Sequence, residues 1–94
     1  MALLAEDEIR RRVATLDGWT FTGGAIEKQF TFDGFPAAVA FVQRLVPGAE
    51  AADHHPDVTI DYRRVKLSYS THSEGGVTAK DFAGAEMAER NVSA

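Results

Sequence analysis

The spacing of apolar residues alternates between a helical period and a two-residue period along this chain of 94 residues. A stripe that recurs every three or four residues is typical of an amphipathic helix, and strict alternation is typical of a strand with one buried face. The periods run helix, strand, strand, helix, strand, strand, helix. This order predicts an α+β fold, α-β-β-α-β-β-α, with three helices packed on one face of a four-stranded antiparallel sheet.

The first three elements lie in the N-terminal third of the chain. Apolar residues at helical spacing predict a helix over about 6–16 that ends at Asp17-Gly18. Residues 19–22 and 25–32 alternate on either side of Gly23-Gly24. Two alternating segments around a Gly-Gly pair predict a β-hairpin.

The middle helix is expected to begin with Asp33 as its cap and to continue to about Asp53. Its apolar stripe keeps its phase across Pro47, so we expect one kinked helix rather than two separate segments. Pro56 ends this region, because the residue before a proline avoids helical backbone angles.

The last three elements repeat the pattern of strand, strand and helix. Residues 58–62 and 65–71 alternate around Arg63-Arg64, with Tyr62 on the apolar face at a strand end, but this pair is a poor match to a tight two-residue turn. Thr78, followed three residues later by Asp81, predicts a variant capping box at the start of the last helix.

Composition indicates one soluble globular domain that spans residues 1–94. The chain is 45% hydrophobic and 26% charged, it has a formal net charge of −4, and it contains no cysteine. An acidic balance argues against a nucleic-acid surface, and the lack of cysteine excludes thiolate chemistry. We find no secretory signal and no stretch long enough to span a membrane, so we expect a cytoplasmic protein.

All three histidines fall in one spaced set of polar residues. The set reads Glu50-x3-His54-His55-Pro56-x5-Tyr62-x9-His72-x8-Asp81. Histidine exchanges protons near neutral pH, so the set is a candidate for general acid–base catalysis. Glu50 and His54 are four residues apart and share a helical face, while His72 ends the last strand, so both histidines could meet at one rim of the sheet.

Two other interpretations of the histidines stay open on the residues alone. His54-His55 could form a solvated helix end, where the helix dipole favours cations. Three histidines and a carboxylate would also suffice for zinc, although the spacing matches no standard zinc motif and adjacent histidines point in different directions on a helix.

The set, taken together with Gly18-Trp19, Thr71-His72 and Gly75-Gly76, resembles the signature of the pterin-4a-carbinolamine dehydratases over nearly the whole chain. The resemblance implies dehydration of a 4a-hydroxytetrahydropterin to quinonoid dihydropterin and water, which recycles the cofactor of aromatic amino-acid hydroxylases. It implies no metal and no organic cofactor, because the pterin is the substrate. It also implies a homo-oligomer, dimer or tetramer, and in some relatives a non-enzymatic role as a dimerisation scaffold.

The resemblance further assigns residues to roles. His54 and His72 would form the acid–base pair, Glu50 would orient or tune His54, and Asp81 would support the site or cap its helix. The pterin pocket would be lined by Asp53, His55, Pro56, Ser70 and Thr71. Two departures from the family pattern are Val46-Pro47-Gly48 in the middle helix, which could shift Glu50, and Arg63 at a turn position commonly held by asparagine.

Overall fold

The computed structural model describes residues 3–93, in which three helices and four strands follow the predicted order. The helices are α1 (Glu6–Val13), α2 (Phe35–Ala52) and α3 (Ala79–Arg90). The strands are β1 (Thr20–Thr22), β2 (Ala25–Thr31), β3 (Asp57–Asp61) and β4 (Arg64–Tyr69). They form one antiparallel sheet in the order β1-β2-β4-β3, which confirms the predicted fold class. No helix within residues 3–93 is long and apolar enough to cross a membrane.

The hydrophobic core lies between one face of the sheet and the helices. Directly paired residues of neighbouring strands share a face, so the pairs Ile26–Tyr69 and Phe30–Val65 place four buried side chains on the same side. All three helices add to this core, with Ile9 from α1, Phe41 and Leu45 from α2, and Phe82 and Ala85 from α3. The opposite face of the sheet is polar.

The first hairpin turns where the sequence predicted. Thr22 pairs with Ala25 across Gly23 and Gly24, whose φ angles of 59° and 80° lie in the left-handed region that glycine adopts at low cost. Helix α1 ends at Val13, three residues before the predicted end. The backbone then continues in single turns, with Leu16 N–H donating to the Val13 carbonyl at 3.0 Å.

Helix α2 differs from the prediction at its start, but it is one helix rather than two separate segments, as expected. Asp33 is not its cap: the N-cap is Gly34, and no side chain accepts a hydrogen bond there. The helix is continuous across Pro47 to Ala52. Asp53 then adopts the left-handed conformation, with φ 49° and ψ 44°, which ends the helix and redirects the chain before His54.

The second hairpin turns one residue earlier than expected. Asp61 pairs with Arg64, so the two-residue turn is Tyr62–Arg63 rather than Arg63–Arg64. Both registers keep the apolar residues on one face, and the observed one also brings the Arg64 guanidinium to 3.0 Å from the Asp61 carboxylate. Tyr62 has a positive φ of 55° and is 64% exposed, so it lies in the turn and not on the core face.

The segment after β4 brings the chain back to the helices. Tyr69 ends the strand, Thr71 N–H donates to the Gly76 carbonyl at 2.8 Å, and His72 begins a short 3-10 turn, His72–Glu74. His72 therefore lies beyond the strand end at which it was predicted. The capping box of α3 is confirmed, because the Asp81 carboxylate accepts from Thr78 N–H and the Thr78 hydroxyl accepts from Lys80 N–H.

Candidate active site

A cleft of about 480 Å³ opens where α2 ends and where β4 leads into the 3-10 turn. The left-handed Asp53 turns the chain at the end of α2, so His54 to Pro56 form one wall, while residues 70–73 form the facing wall. The lining residues are Asp53, His54, His55, Pro56, Asp57, Ser70, Thr71, His72, Ser73 and Lys80. The structure thus brings both predicted acid–base histidines and all five predicted pocket residues to one cleft.

His54 is held by a buried carboxylate. Its Nε2 atom lies 2.6 Å from Asp81 Oδ1, and the side chains of His54 and Asp81 are only 12% and 0% exposed. The two residues are 27 positions apart in sequence and come together because α3 begins beside the end of α2. The pair has the short distance of a hydrogen bond to an ionised acceptor.

The second oxygen of Asp81 is also fully used. Oδ2 accepts from the Thr71 hydroxyl and from Thr78 N–H, each at 2.9 Å. The Thr71 and Thr78 hydroxyl oxygens lie 2.8 Å apart. Because the Thr78 oxygen already accepts from Lys80 N–H, its hydroxyl can donate to Thr71, which donates in turn to Asp81. A buried acid in such a network is fixed in orientation.

This arrangement selects one form of the His54 ring. A carboxylate only accepts hydrogen bonds, so the Nε2 atom facing Asp81 carries a proton. In the neutral ring Nδ1 is then the free acceptor, and the adjacent anion accommodates the positive charge that forms when Nδ1 takes up a proton. The pair can therefore accept and return a proton without any change of geometry.

Glu50 does not contact His54. Its Oε2 atom lies 2.6 Å from Nε2 of His55, and both side chains of this pair are more than half exposed. The expected partnership of Glu50 with His54 is wrong in geometry, because the helical face that Glu50 occupies ends before His54. Asp81, ranked as a secondary member from the sequence, takes the position beside His54 instead.

His72 lies across the cleft from His54 and belongs to a different element, the 3-10 turn. It is exposed, and within residues 3–93 its ring makes no hydrogen bond or ion pair. The two histidines thus lie in different environments: His54 is partly buried and hydrogen-bonded to Asp81, and His72 faces solvent at the cleft.

Sequence reasoning missed four residues around the cleft. Asp57, Ser73 and Lys80 line it, and Tyr69 lies behind His54 with its ring centroid 6.1 Å from the imidazole. Lys80 could have been found from its place beside Asp81 in the first turn of α3. Burial, and next the negative charge of Asp81, raise the pKa of Tyr69 to about 12, so this phenol is neutral at neutral pH.

The histidines are not arranged as a metal centre. Across the part of the chain that the structure describes, no group of three or more histidine, cysteine, aspartate or glutamate side chains could hold a metal ion.

Comparisons with known proteins agree on one family. The sequence model described as pterin 4 alpha carbinolamine dehydratase matches residues 2–91. A protein of Sulfolobus acidocaldarius named "Putative pterin-4-alpha-carbinolamine dehydratase" is 48% identical over 84% of this chain and 87% of its own length. A protein of the same name from Mycobacteroides abscessus is 45% identical over 98% of both chains.

Two solved structures share the fold. The transcriptional coactivator/pterin dehydratase from Brucella melitensis has a TM-score of 0.89 at 36% identity and covers 96% of this chain and 98% of its own. A pterin dehydratase-like protein described as a RuBisCO assembly factor in the alpha-carboxysome has a TM-score of 0.68 at 19% identity, covering 82% and 92%. The second likeness is one of fold alone.

Proposed function

Because this chain belongs to the pterin 4 alpha carbinolamine dehydratase family, we propose that it dehydrates a 4a-hydroxytetrahydropterin to quinonoid dihydropterin and water. The observation that carries the proposal is the cleft shared by the His54–Asp81 pair and His72. In this reaction the 4a-hydroxyl leaves as water and needs a proton donor, while a neighbouring ring nitrogen loses a proton and needs an acceptor. Two histidines on one cleft supply both roles.

The two histidines lie in different environments, and we assign a different role to each on that basis. His54 is the proton acceptor, because Asp81 leaves Nδ1 as the free acceptor and stabilises the imidazolium that results. His72, in its protonated form, donates to the departing hydroxyl. The proton taken by His54 returns to solvent, and His72 is reprotonated from solvent, so neither residue forms a covalent bond to the pterin.

The remaining lining residues bind and orient the ring system. Asp53, His55, Pro56, Ser70 and Thr71 surround the two histidines in the cleft. Polar groups at a concave site fix the orientation of a small heterocycle, and the Pro56 ring offers an apolar contact. The reaction needs no metal and no organic cofactor. Its place would be the recycling of the tetrahydropterin used by aromatic amino-acid hydroxylases.

The test is turnover of freshly generated 4a-hydroxytetrahydropterin, followed by absorbance in a stopped-flow instrument. The protein should raise the rate above the spontaneous reaction, and His54→Ala and His72→Ala should each lower kcat roughly 100-fold or more, the usual scale of general acid–base catalysis. Asp61→Asn, on the far hairpin, is the control. A spontaneous rate unchanged by the wild-type protein defeats the proposal.

We also propose that the chain functions as a homo-oligomer, dimer or tetramer. Strand β3 is an edge strand whose five residues are all exposed, and it presents Val58 and Ile60 at 40% and 38% exposure. An exposed, apolar edge strand is suited to pairing with another chain. Light scattering after size-exclusion chromatography should give a multiple of 10.2 kDa, and Ile60→Lys should shift it toward the monomer.

A second candidate function is a non-enzymatic scaffold of the same fold. The likeness to a protein described as a transcriptional coactivator/pterin dehydratase favours keeping it. The turnover assay separates the two functions, because a scaffold would leave the spontaneous dehydration rate unchanged. A stoichiometric partner recovered with a catalytically inactive protein would support the scaffold.

A further inference from the structure

The side chain directly behind the proposed acid–base histidine is a buried tyrosine that the proposed mechanism does not use. Tyr69 is the last residue of β4 and is 0% exposed. Its ring is stacked on the His54 ring, with centroids 6.1 Å apart and planes inclined by 27°. Its hydroxyl has no hydrogen-bond partner in the described part of the chain. Tyr69 therefore sits at this position for its ring rather than for its hydroxyl.

Helix α3 is built around this ring. Gly84 lies in the middle of the helix, where glycine is normally unfavourable. A β-carbon at Gly84 would approach Cε1, Cζ and Cδ1 of Tyr69 to 2.4, 2.8 and 2.9 Å, which are impossible contacts. The ring of Tyr69 on β4 therefore occupies the space that a side chain at Gly84 on α3 would fill. A smaller residue at 69 would have needed no glycine at 84.

The ring supplies a constraint that Asp81 cannot. A hydrogen bond at Nε2 fixes one atom of the imidazole, but small changes in the His54 side-chain torsions can still tilt the ring plane. A flat, rigid ring stacked on the imidazole limits that tilt. His54 also lines both the cleft and the groove that contains Gly84.

We propose that Tyr69 is a positioning residue, whose ring face holds the plane of the His54 imidazole while Asp81 holds its Nε2 atom. The kinetic consequence rests on the proposed dehydratase function, but the positioning itself does not. The neutral phenol adds no charge beside His54, so the effect is one of orientation. Orientation errors of about 1 Å at a catalytic group cost roughly 100-fold in rate.

The decisive variant is the double substitution Tyr69→Leu, Gly84→Ala. It removes the ring, refills part of the space from α3 and favours the helix, so it should fold. Tyr69→Phe retains the ring. Phe41→Leu is the matched control, since Phe41 is a fully buried aromatic residue packed against other phenylalanines instead of His54.

Two measurements are made on each protein: kcat and KM for the dehydration, and the line widths of the His54 ring signals by ¹H–¹⁵N correlation NMR. We expect the double variant to lose roughly 10-fold to 100-fold in kcat with KM within about threefold. Its His54 ring signals should be broadened by exchange between ring orientations, with the proton still on Nε2 because Asp81 is unchanged. Tyr69→Phe and Phe41→Leu should match the wild type in both measurements.

The outcomes separate this inference from the proposed function. A double variant with wild-type kcat and sharp His54 ring signals overturns the positioning role, even in an active enzyme. If the wild-type protein does not accelerate dehydration, the proposed function fails. The NMR comparison then decides the inference alone: His54 ring signals that are broadened in the double variant support it, and unchanged line widths overturn it.

Discussion

Replacing Asp81 with asparagine should stop the chemistry while leaving the fold intact. Three donors face the Asp81 carboxylate: the His54 Nε2–H, the Thr71 hydroxyl and Thr78 N–H. Asparagine has the same shape but offers one acceptor oxygen and one donor group. Its oxygen can satisfy Thr71 and Thr78 together, which leaves its NH₂ group facing His54. His54 must then move its proton from Nε2 to Nδ1, and the acceptor that the proposed mechanism needs is lost.

The cost to stability follows from the same three contacts. Hydrogen bonds to a charged group contribute about 1.5–3 kcal/mol and neutral ones about 0.5–1.5 kcal/mol, so weakening three bonds costs about 3 kcal/mol. Removing a fully desolvated charge offsets part of this loss. We expect the free energy of unfolding to fall by about 2 kcal/mol, measured by urea denaturation followed by circular dichroism.

The expected rate loss is larger than this stability loss explains. With the wrong tautomer of the proposed general base, kcat should fall at least about 100-fold. The assay is stopped-flow dehydration at protein concentrations corrected for the folded fraction, with NMR of the His54 ring to identify the protonated nitrogen. Glu50→Gln should have a much smaller effect, because Glu50 contacts His55. Wild-type kcat in Asp81→Asn, with the proton still on Nε2, would refute the reasoning.

Other predictions concern stability. Burial is the main cause that raises the pKa of Tyr69 from 10.0 to about 12. The stabilisation of the folded state by the neutral phenol is therefore fully present below pH 10 and is lost as the pH rises toward 12. Over that range the free energy of unfolding should fall by about 3 kcal/mol. Urea melts across that range should show this loss in the wild type and in Tyr62→Phe but not in Tyr69→Phe. Glu89 accepts from Trp19 Nε1 and Lys28 Nζ, each at 2.8 Å, so Glu89→Ala should cost about 2 kcal/mol in the same melts, and an unchanged midpoint would contradict this.

The order of helices and strands could be predicted because apolar periodicity reports directly on which face is buried. The turn of the second hairpin could not, because registers through Tyr62–Arg63 and Arg63–Arg64 both keep the apolar residues on one face. Only cross-strand contacts such as Asp61–Arg64 distinguish them. The N-cap of α2 was misplaced by one residue for a similar reason, since both Asp33 and Gly34 are acceptable there.

The members of the site could be predicted more fully than their pairing. Glu50 and His54 share a face only if α2 remains helical through His54, and the left-handed Asp53 breaks that assumption. The carboxylate that actually contacts His54 is that of Asp81, which lies 27 residues away on another helix. Local sequence spacing cannot predict such a contact. The stacking of Tyr69 on His54 could not be predicted from the sequence either, because it depends on a contact between β4 and Gly84 of α3 that is distant in sequence.

The capping box of α3 has a consequence for local unfolding. The oxygen that accepts from Thr78 N–H belongs to the carboxylate that holds His54, so fraying of the first turn of α3 also separates the His54–Asp81 pair. Amide hydrogen exchange at Thr78 therefore counts the openings in which the site is disassembled. Exchange at this one backbone amide thus reports how often the His54–Asp81 pair is disassembled.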